Sequence, residues 1–196
     1  MKSLFNFIVE PISGRYNNSK KIDDKELIIN TEISNHQFIS KEAKVIAIPT
    51  AFDTDIKVGD TVLVHHNVFR RFFDVKANEK NSRSFIDENT YIAQPDQVFL
   101  YKSTDDWKCV DGYCFIQPLK NKDNFELHPE RPLIGIVVYS DGTVDEGDLV
   151  GFKPNSRFEF IVDGKRLYRV LSKFITIKYE YQGDEEEYNP SWAQSG

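Results

Sequence analysis

Two segments constrain this chain most: "IKVGDTVLVHH", starting at Ile56, and "TVDEGDLVGFK", starting at Thr143. Each places a Gly-Asp pair in front of an alternating apolar run. Glycine reaches positive φ without steric cost, and aspartate bonds back onto nearby amides, so each pair reads as a turn feeding a strand. Alone, that turn is a weak signal. Its place in an ordered series gives it weight. An apolar strand closing on an acid or amide followed by proline occurs as "FIVEPI" and "CFIQPL", with Pro11 and Pro118 lying 107 positions apart (118 − 11). "KVIAI" from Lys44 answers "GIVVY" from Gly135 at an offset of 91 (135 − 44). Gly59 and Gly147 are 88 apart (147 − 59), a spacing that Val62 and Val150 keep. "DQVFLYK" and "KFITIKY" align at 77, pairing Val98 with Ile175 (175 − 98). The order never changes, and each change of offset falls in a loop, where insertions cost little. The series reads as one domain present twice.

Between these landmarks the chain shows almost no sustained helical periodicity. Short runs of Val, Ile, Phe and Tyr alternate with Gly, Asp, Asn and Pro, the pattern of small barrels or sandwiches. "VDGKRLYRV" has the composition of a hairpin, with Asp163-Gly164 at its turn. The expected fold is therefore all-β. No apolar run nears the ~20 residues needed to span a bilayer, and the N-terminus reads poorly as a signal peptide. Cys109 and Cys114 cannot form a disulfide framework and lack the second pair that a zinc site needs. A reducing, cytoplasmic setting is expected.

The formal net charge of −6 is unevenly placed. Five acids lie from Glu180 onward (Glu180, Asp184, Glu185, Glu186 and Glu187) without a Lys or Arg, so the rest of the chain carries about −1. A nearly neutral body offers no field for a phosphate backbone, and Arg70-Arg71 reads as solvated surface. The segment 182–196 reads as a flexible acidic tail, with Trp192 a minor candidate for docking.

On these residues the chain resembles the GroES-type co-chaperonins. "FNFIVEPI", "EAKVIAIP", "IKVGDTVLVHH" and "ENTYIAQPDQVFLYK" carry the match in the first copy. "YCFIQPL", "PLIGIVVYS", "TVDEGDLVGFK" and "DGKRLYRVLSKFITIKYE" carry it in the second. Tandem members of the family exist, and phage-encoded members are similarly divergent. The resemblance implies two tandem GroES-like small β-barrels. Barrel 1 spans 1–104 with a long mobile loop at 13–42, barrel 2 spans 105–181, and the tail follows. It also implies a homo-oligomeric ring that caps a GroEL-type chaperonin and encloses unfolded client proteins, with ATP hydrolysis left to the partner.

Family contact is made by an apolar tripeptide in the loop after the first strand, a role the resemblance assigns to Leu27, Ile28 and Ile29; the alternative is that "ELIIN" is an ordinary strand packed on its own barrel. A connection of about 30 residues in a compact domain is usually functional or disordered. Burying two such side chains at ~25 cal/mol per Å² supplies a few kcal/mol, which a ring multiplies through multivalency. Ile33, Phe38 and Ile39 are second-choice anchors. The sequence departs from the family pattern in three places. "DDKE" stands where glycines often precede the tripeptide, the second copy has only "KNKDNFELHPER" for its loop, and "TAFDTD" and "SDG" leave little for a roof hairpin.

The residues support no enzyme: no nucleophile motif, phosphate-binding glycine loop or rigid pair of acids is present. No cofactor or metal is expected. His65-His66 ends a strand, so the two rings should point to opposite faces and not share an ion. Aromatic content is better explained by core packing than by nucleic-acid stacking. The rival reading is a phage or cellular structural scaffold barrel that never touches a chaperonin.

Overall fold

The computed structural model describes residues 2–17, 19–22, 25–28, 35, 37–122, 129–180 and 183–195. The chain is all-β, and it divides into two compact units, Met1–Trp107 and Lys108–Gly196. Among the described residues no helix is long and apolar enough to cross a membrane.

Among its described residues unit 1 contains ten strands: β1 (Phe7–Pro11), β2 (Ser19–Ile22), β3 (Lys25–Ile28), β4 (Glu42–Ala47), β5 (Thr61–Val64), β6 (Arg71–Phe73), β7 (Glu79–Asn81), β8 (Phe85–Asp87), β9 (Thr90–Ala93) and β10 (Val98–Lys102). Six of them form one antiparallel sheet in the order β10-β5-β4-β1-β9-β8, while β2-β3 and β6-β7 are separate hairpins. Unit 2 contains β11 (Lys108–Cys109), β12 (Tyr113–Lys120), β13 (Glu130–Ser140), β14 (Leu149–Phe152), β15 (Arg157–Val162), β16 (Lys165–Leu171) and β17 (Ile175–Tyr179). Its sheet runs β17-β14-β13-β12-β16-β15. Replacing β1, β4, β5, β8, β9 and β10 by β12, β13, β14, β15, β16 and β17 turns one order into the other.

The identity extends to single residues. β1 pairs β9 as Val9↔Tyr91, and β12 pairs β16 as Ile116↔Tyr168. β10 pairs β5 as Val98↔Val64 and Leu100↔Leu63, with a bulge between; β17 pairs β14 as Ile175↔Phe152 and Ile177↔Gly151, with the bulge repeated. A second shared irregularity falls at Ile8/Val9 in β1 and at Phe115/Ile116 in β12. Even the short 3-10 turns match, Pro95–Gln97 before β10 and Ser172–Phe174 before β17. Bulges bend a strand and fix its register, so matched bulges mean matched curvature.

One rung of the sequence ladder is corrected. Val9 pairs with Val45 and Ile116 with Val137, while Val62 faces Ala43 and Val150 faces Gly135. The β4 to β13 offset is therefore 92 (137 − 45), not 91. Gly135 takes the place of Ala43 rather than of Lys44. A one-residue slip would turn every side chain of the strand to the opposite face.

The core follows from the pleat. In unit 1, Val9, Val45, Val62, Val64, Tyr91 and Leu100 are fully buried. In unit 2, Ile116, Val137, Val150, Phe152, Tyr168 and Val170 form one cluster, and Leu119, Ile136 and Leu149 a second. β15 and β16 meet at a two-residue turn, Val162↔Lys165, where Asp163 and Gly164 both take positive φ (47° and 73°), as the hairpin reading expected. Neither sheet closes into a barrel among the described residues.

Candidate partner-binding site

The two sheets are alike, so what differs between them marks where unit 1 is specialised. Two excursions leave its sheet. The first, between β1 and β4, holds the hairpin β2-β3; the second, between β5 and β8, holds the hairpin β6-β7. The second unit joins the corresponding strands β14 and β15 through Lys153–Ser156 alone.

The backbone register of β2 and β3 sets Leu27 opposite Lys20 and Ile28 opposite Ser19. Leu27 and Ile28 thus lie on one strand of a hairpin, whereas Ile29 lies outside the described residues, as does Ile33. Phe38 is half-buried. Ile39 is only 2% exposed, which removes it as a docking anchor: it belongs to the core of its own unit.

The two limbs of this excursion are joined at their base. Asn17 N–H donates to the Phe38 carbonyl at 2.7 Å, Ser40 N–H to the Arg15 carbonyl at 2.9 Å, and Tyr16 bridges Ile39. The same base is riveted to the second excursion. Arg15 donates to the Phe69 carbonyl (3.2 Å from Nη2) and to Asn81 Oδ1 (2.9 Å), with its guanidinium over the Tyr91 and Phe85 rings. Arg71 N–H donates to the Tyr16 hydroxyl at 2.8 Å, and its guanidinium sits 4.7 Å from the Tyr16 ring centre. Both excursions therefore project from one fixed root.

The hairpin β6-β7 was not anticipated from the sequence. Its tip is held by Asp74, whose carboxylate accepts from the amides of Lys76 and Asn78 at 2.9 Å each. Those bonds, the Asn78 amide first, hold the Asp74 carboxyl below its ordinary range. Phe73 and Val75, 58% and 104% exposed, stand at this tip. The signal was legible: "FFDVKAN" puts apolar residues around an aspartate able to close a tight turn.

The histidine expectation is corrected: the His65 and His66 rings lie 4.3 Å apart at 31°, because β5 ends at Val64 and the pleat no longer separates them. His65 Nδ1 accepts from the Asn67 amide and caps a 3-10 turn. Among the described residues no group of three or more His, Cys, Asp or Glu is arranged to hold a metal ion. Cys109 and Cys114 are free thiols, and burial pushes the Cys109 thiol up, away from the reactive thiolate. In unit 2, Glu130 accepts from the Tyr168 hydroxyl (2.8 Å) and pairs with Arg166 (2.6 Å) and Arg157 (3.0 Å). Burial alone would raise its pKa, but those bonds and charges outweigh it and hold the carboxyl below its ordinary range.

No protein-family model matches the chain, and no curated protein matches its sequence.

Proposed function

We propose that this protein is a co-chaperonin of the GroES type, its two units being tandem copies of one small-barrel module. In this reading copies assemble into a ring and cap a GroEL-type chaperonin that encloses unfolded clients in the cytoplasm. Contact is made by Leu27, Ile28 and Ile29 on the first excursion. The supporting observation is the repeated strand order with matched bulges and matched Gly-Asp turns, set against excursions that, among the described residues, unit 1 alone elaborates. Long connections carried on a rigid scaffold are where specific contacts concentrate, and two connections of unit 1 are lengthened in this way. The rooted base favours this reading, because a hook on a fixed root loses less freedom on docking than one on a slack tether.

The test is co-elution with a GroEL-type chaperonin in the presence of nucleotide. Wild type is expected to co-elute as a ring. The triple variant Leu27→Ser/Ile28→Ser/Ile29→Ser is expected to keep fold and ring mass but lose co-elution. Phe73→Ser/Val75→Ser on the neighbouring hairpin is expected to retain it. Co-elution that survives the triple variant overturns the site. A wild type that forms no ring and never co-elutes leaves the structural-scaffold reading in its place.

A further inference from the structure

A strand residue points its N–H and its C=O to the same side. In unit 2 the β12-β16 pairing stops at Ile116↔Tyr168, two residues before Pro118. Proline has no N–H, so it cannot continue a ladder on that side. Pro11 ends the β1-β9 pairing in the same place, at Val9↔Tyr91. In unit 2 the edge released by Pro118 is filled by the acidic segment. Tyr188 N–H donates to the Pro118 carbonyl and Lys120 N–H to the Glu186 carbonyl, both at 2.8 Å, and Leu119 forms an antiparallel bridge with Glu187. Buried Gln117 donates its side-chain amide to the Tyr188 carbonyl at 2.9 Å. Asn189 completes the seat, accepting from the Arg166 amide and donating to the Gly164 carbonyl, each at 3.0 Å.

Cations flank this edge. Arg131 pairs with Glu185 at 2.7 Å, Lys122 with Asp184 at 3.0 Å and Lys120 with Glu186 at 3.0 Å. The geometry is strand addition to a sheet edge, in which main-chain bonds hold an extended peptide and side chains select it. We propose that the Gln117–Lys120 edge, with Lys120, Lys122 and Arg131, is an acceptor site for an extended acidic peptide. The partner it fits is the 184–189 segment of a second copy, and the molecule's own segment fills the site in its absence.

Two features make the resident segment exchangeable. Its Lys120–Glu186 and Lys122–Asp184 ion pairs are largely solvent-exposed and so are screened by salt, and among the described residues from 183 onward Ala193 alone is a deeply buried apolar side chain. Under it, Gln117 Oε1 is buried without a partner among the described residues, a penalty that opening relieves. A segment bound in cis by such contacts makes the same contacts in trans at little cost, which is how exchanged arms link protomers. None of residues 13–42 takes part, so the acceptor site stands or falls separately from chaperonin capping.

The test uses the full chain carrying Asp184→Lys/Glu185→Lys/Glu186→Lys, whose own segment no longer complements the edge. The probe is a fluorescent peptide of the native 183–195 sequence, standing for the segment of a second copy. The variant is expected to bind it at least tenfold more tightly than wild type at 50 mM salt. That affinity should fall at least tenfold at 500 mM, and adding Lys120→Glu/Lys122→Glu/Arg131→Glu should abolish it. A folded variant that ignores the peptide, or binds a scrambled one equally, overturns the proposal. Should the variant not fold, hydrogen exchange of wild type decides. The Tyr188 and Lys120 amides should lose protection on raising salt from 50 to 500 mM while Val137 and Gly147 keep theirs. Protection of all four that is insensitive to salt overturns the proposal.

Discussion

Asp60 and Asp148 perform the same four-point closure in two different turns. Each carbonyl accepts from the valine amide across the sheet, Val45 and Val137 respectively, at 2.9 Å. Each carboxylate Oδ2 accepts from the amide three residues back, Lys57 at 2.8 Å and Asp145 at 3.0 Å. Each backbone amide donates to that same residue's carbonyl, and the preceding glycine amide donates to the same valine at 2.8 Å. The outer partners differ: Asp60 Oδ1 accepts from Ser103 Oγ at 2.8 Å, while Asp148 pairs with Lys178 at 2.6 Å.

These turns give the first prediction. Gly59 and Gly147 have φ of 98° and 91°, with open space where a Cβ would stand, so an alanine is strained by backbone conformation and not by collision. Gly59→Ala and Gly147→Ala should each cost about 1–2 kcal/mol. Urea unfolding read by probes in each unit should show Gly59→Ala shifting the transition of unit 1 and Gly147→Ala that of unit 2. An unchanged midpoint in both variants would show that the turn does not set the register.

The second prediction concerns the corrected rung. Ala43 is fully buried in unit 1, yet a Cβ on its counterpart Gly135 would lie 2.4 Å from the Gln117 carbonyl oxygen and 2.5 Å from Ile116 Cγ2. Gly135→Ala should therefore destabilise unit 2 by about 1–3 kcal/mol through overpacking, whereas the reciprocal Ala43→Gly should cost about 1 kcal/mol or less. Thermal melts of the two variants rank these effects, and a Gly135→Ala protein as stable as wild type would refute the crowding.

How far the sequence could be read follows from where its signals are local. The turns at Gly59-Asp60 and Asp163-Gly164 announce themselves, because two adjacent residues suffice to make them. The phase of β4 against β13 does not. "KVIAI" and "GIVVY" are apolar at nearly every position, so alternation cannot fix their alignment, and the register depends on bonds to distant Asp60 and Asp148. The acidic segment was read as a solvated end because its partners, Lys120, Lys122 and Arg131, are scattered among neutral and acidic neighbours until the sheet gathers them. The β6-β7 hairpin escaped notice for a related reason: only the fold shows that Phe73 and Val75 are left outside the core. Leu27 and Ile28 stand out in the sequence as part of an apolar triplet amid charges, and the backbone sets both on a strand.

The third prediction is a pH dependence carried by Glu130. Its side chain is 13% exposed and is held ionised by Tyr168, Arg166 and Arg157. A carboxyl depressed in the folded state contributes stability that is fully present above its unfolded pKa, about 4.3, and is lost as pH falls through its lower folded value. Glu130→Gln keeps the shape but removes the charge from a largely buried site, leaving Arg166 with Glu159 as its remaining ion-pair partner, so the cost near neutral pH should be about 3 kcal/mol. The urea midpoint of unit 2, followed from pH 7 to pH 3, should fall more steeply for wild type than for Glu130→Gln. The gap between them should narrow as pH falls below about 4.3, because there the unfolded carboxyl takes up a proton while the native one is still held ionised. A gap that stays constant across that range would mean that packing around Tyr168, and not the charge of Glu130, supplies the stability.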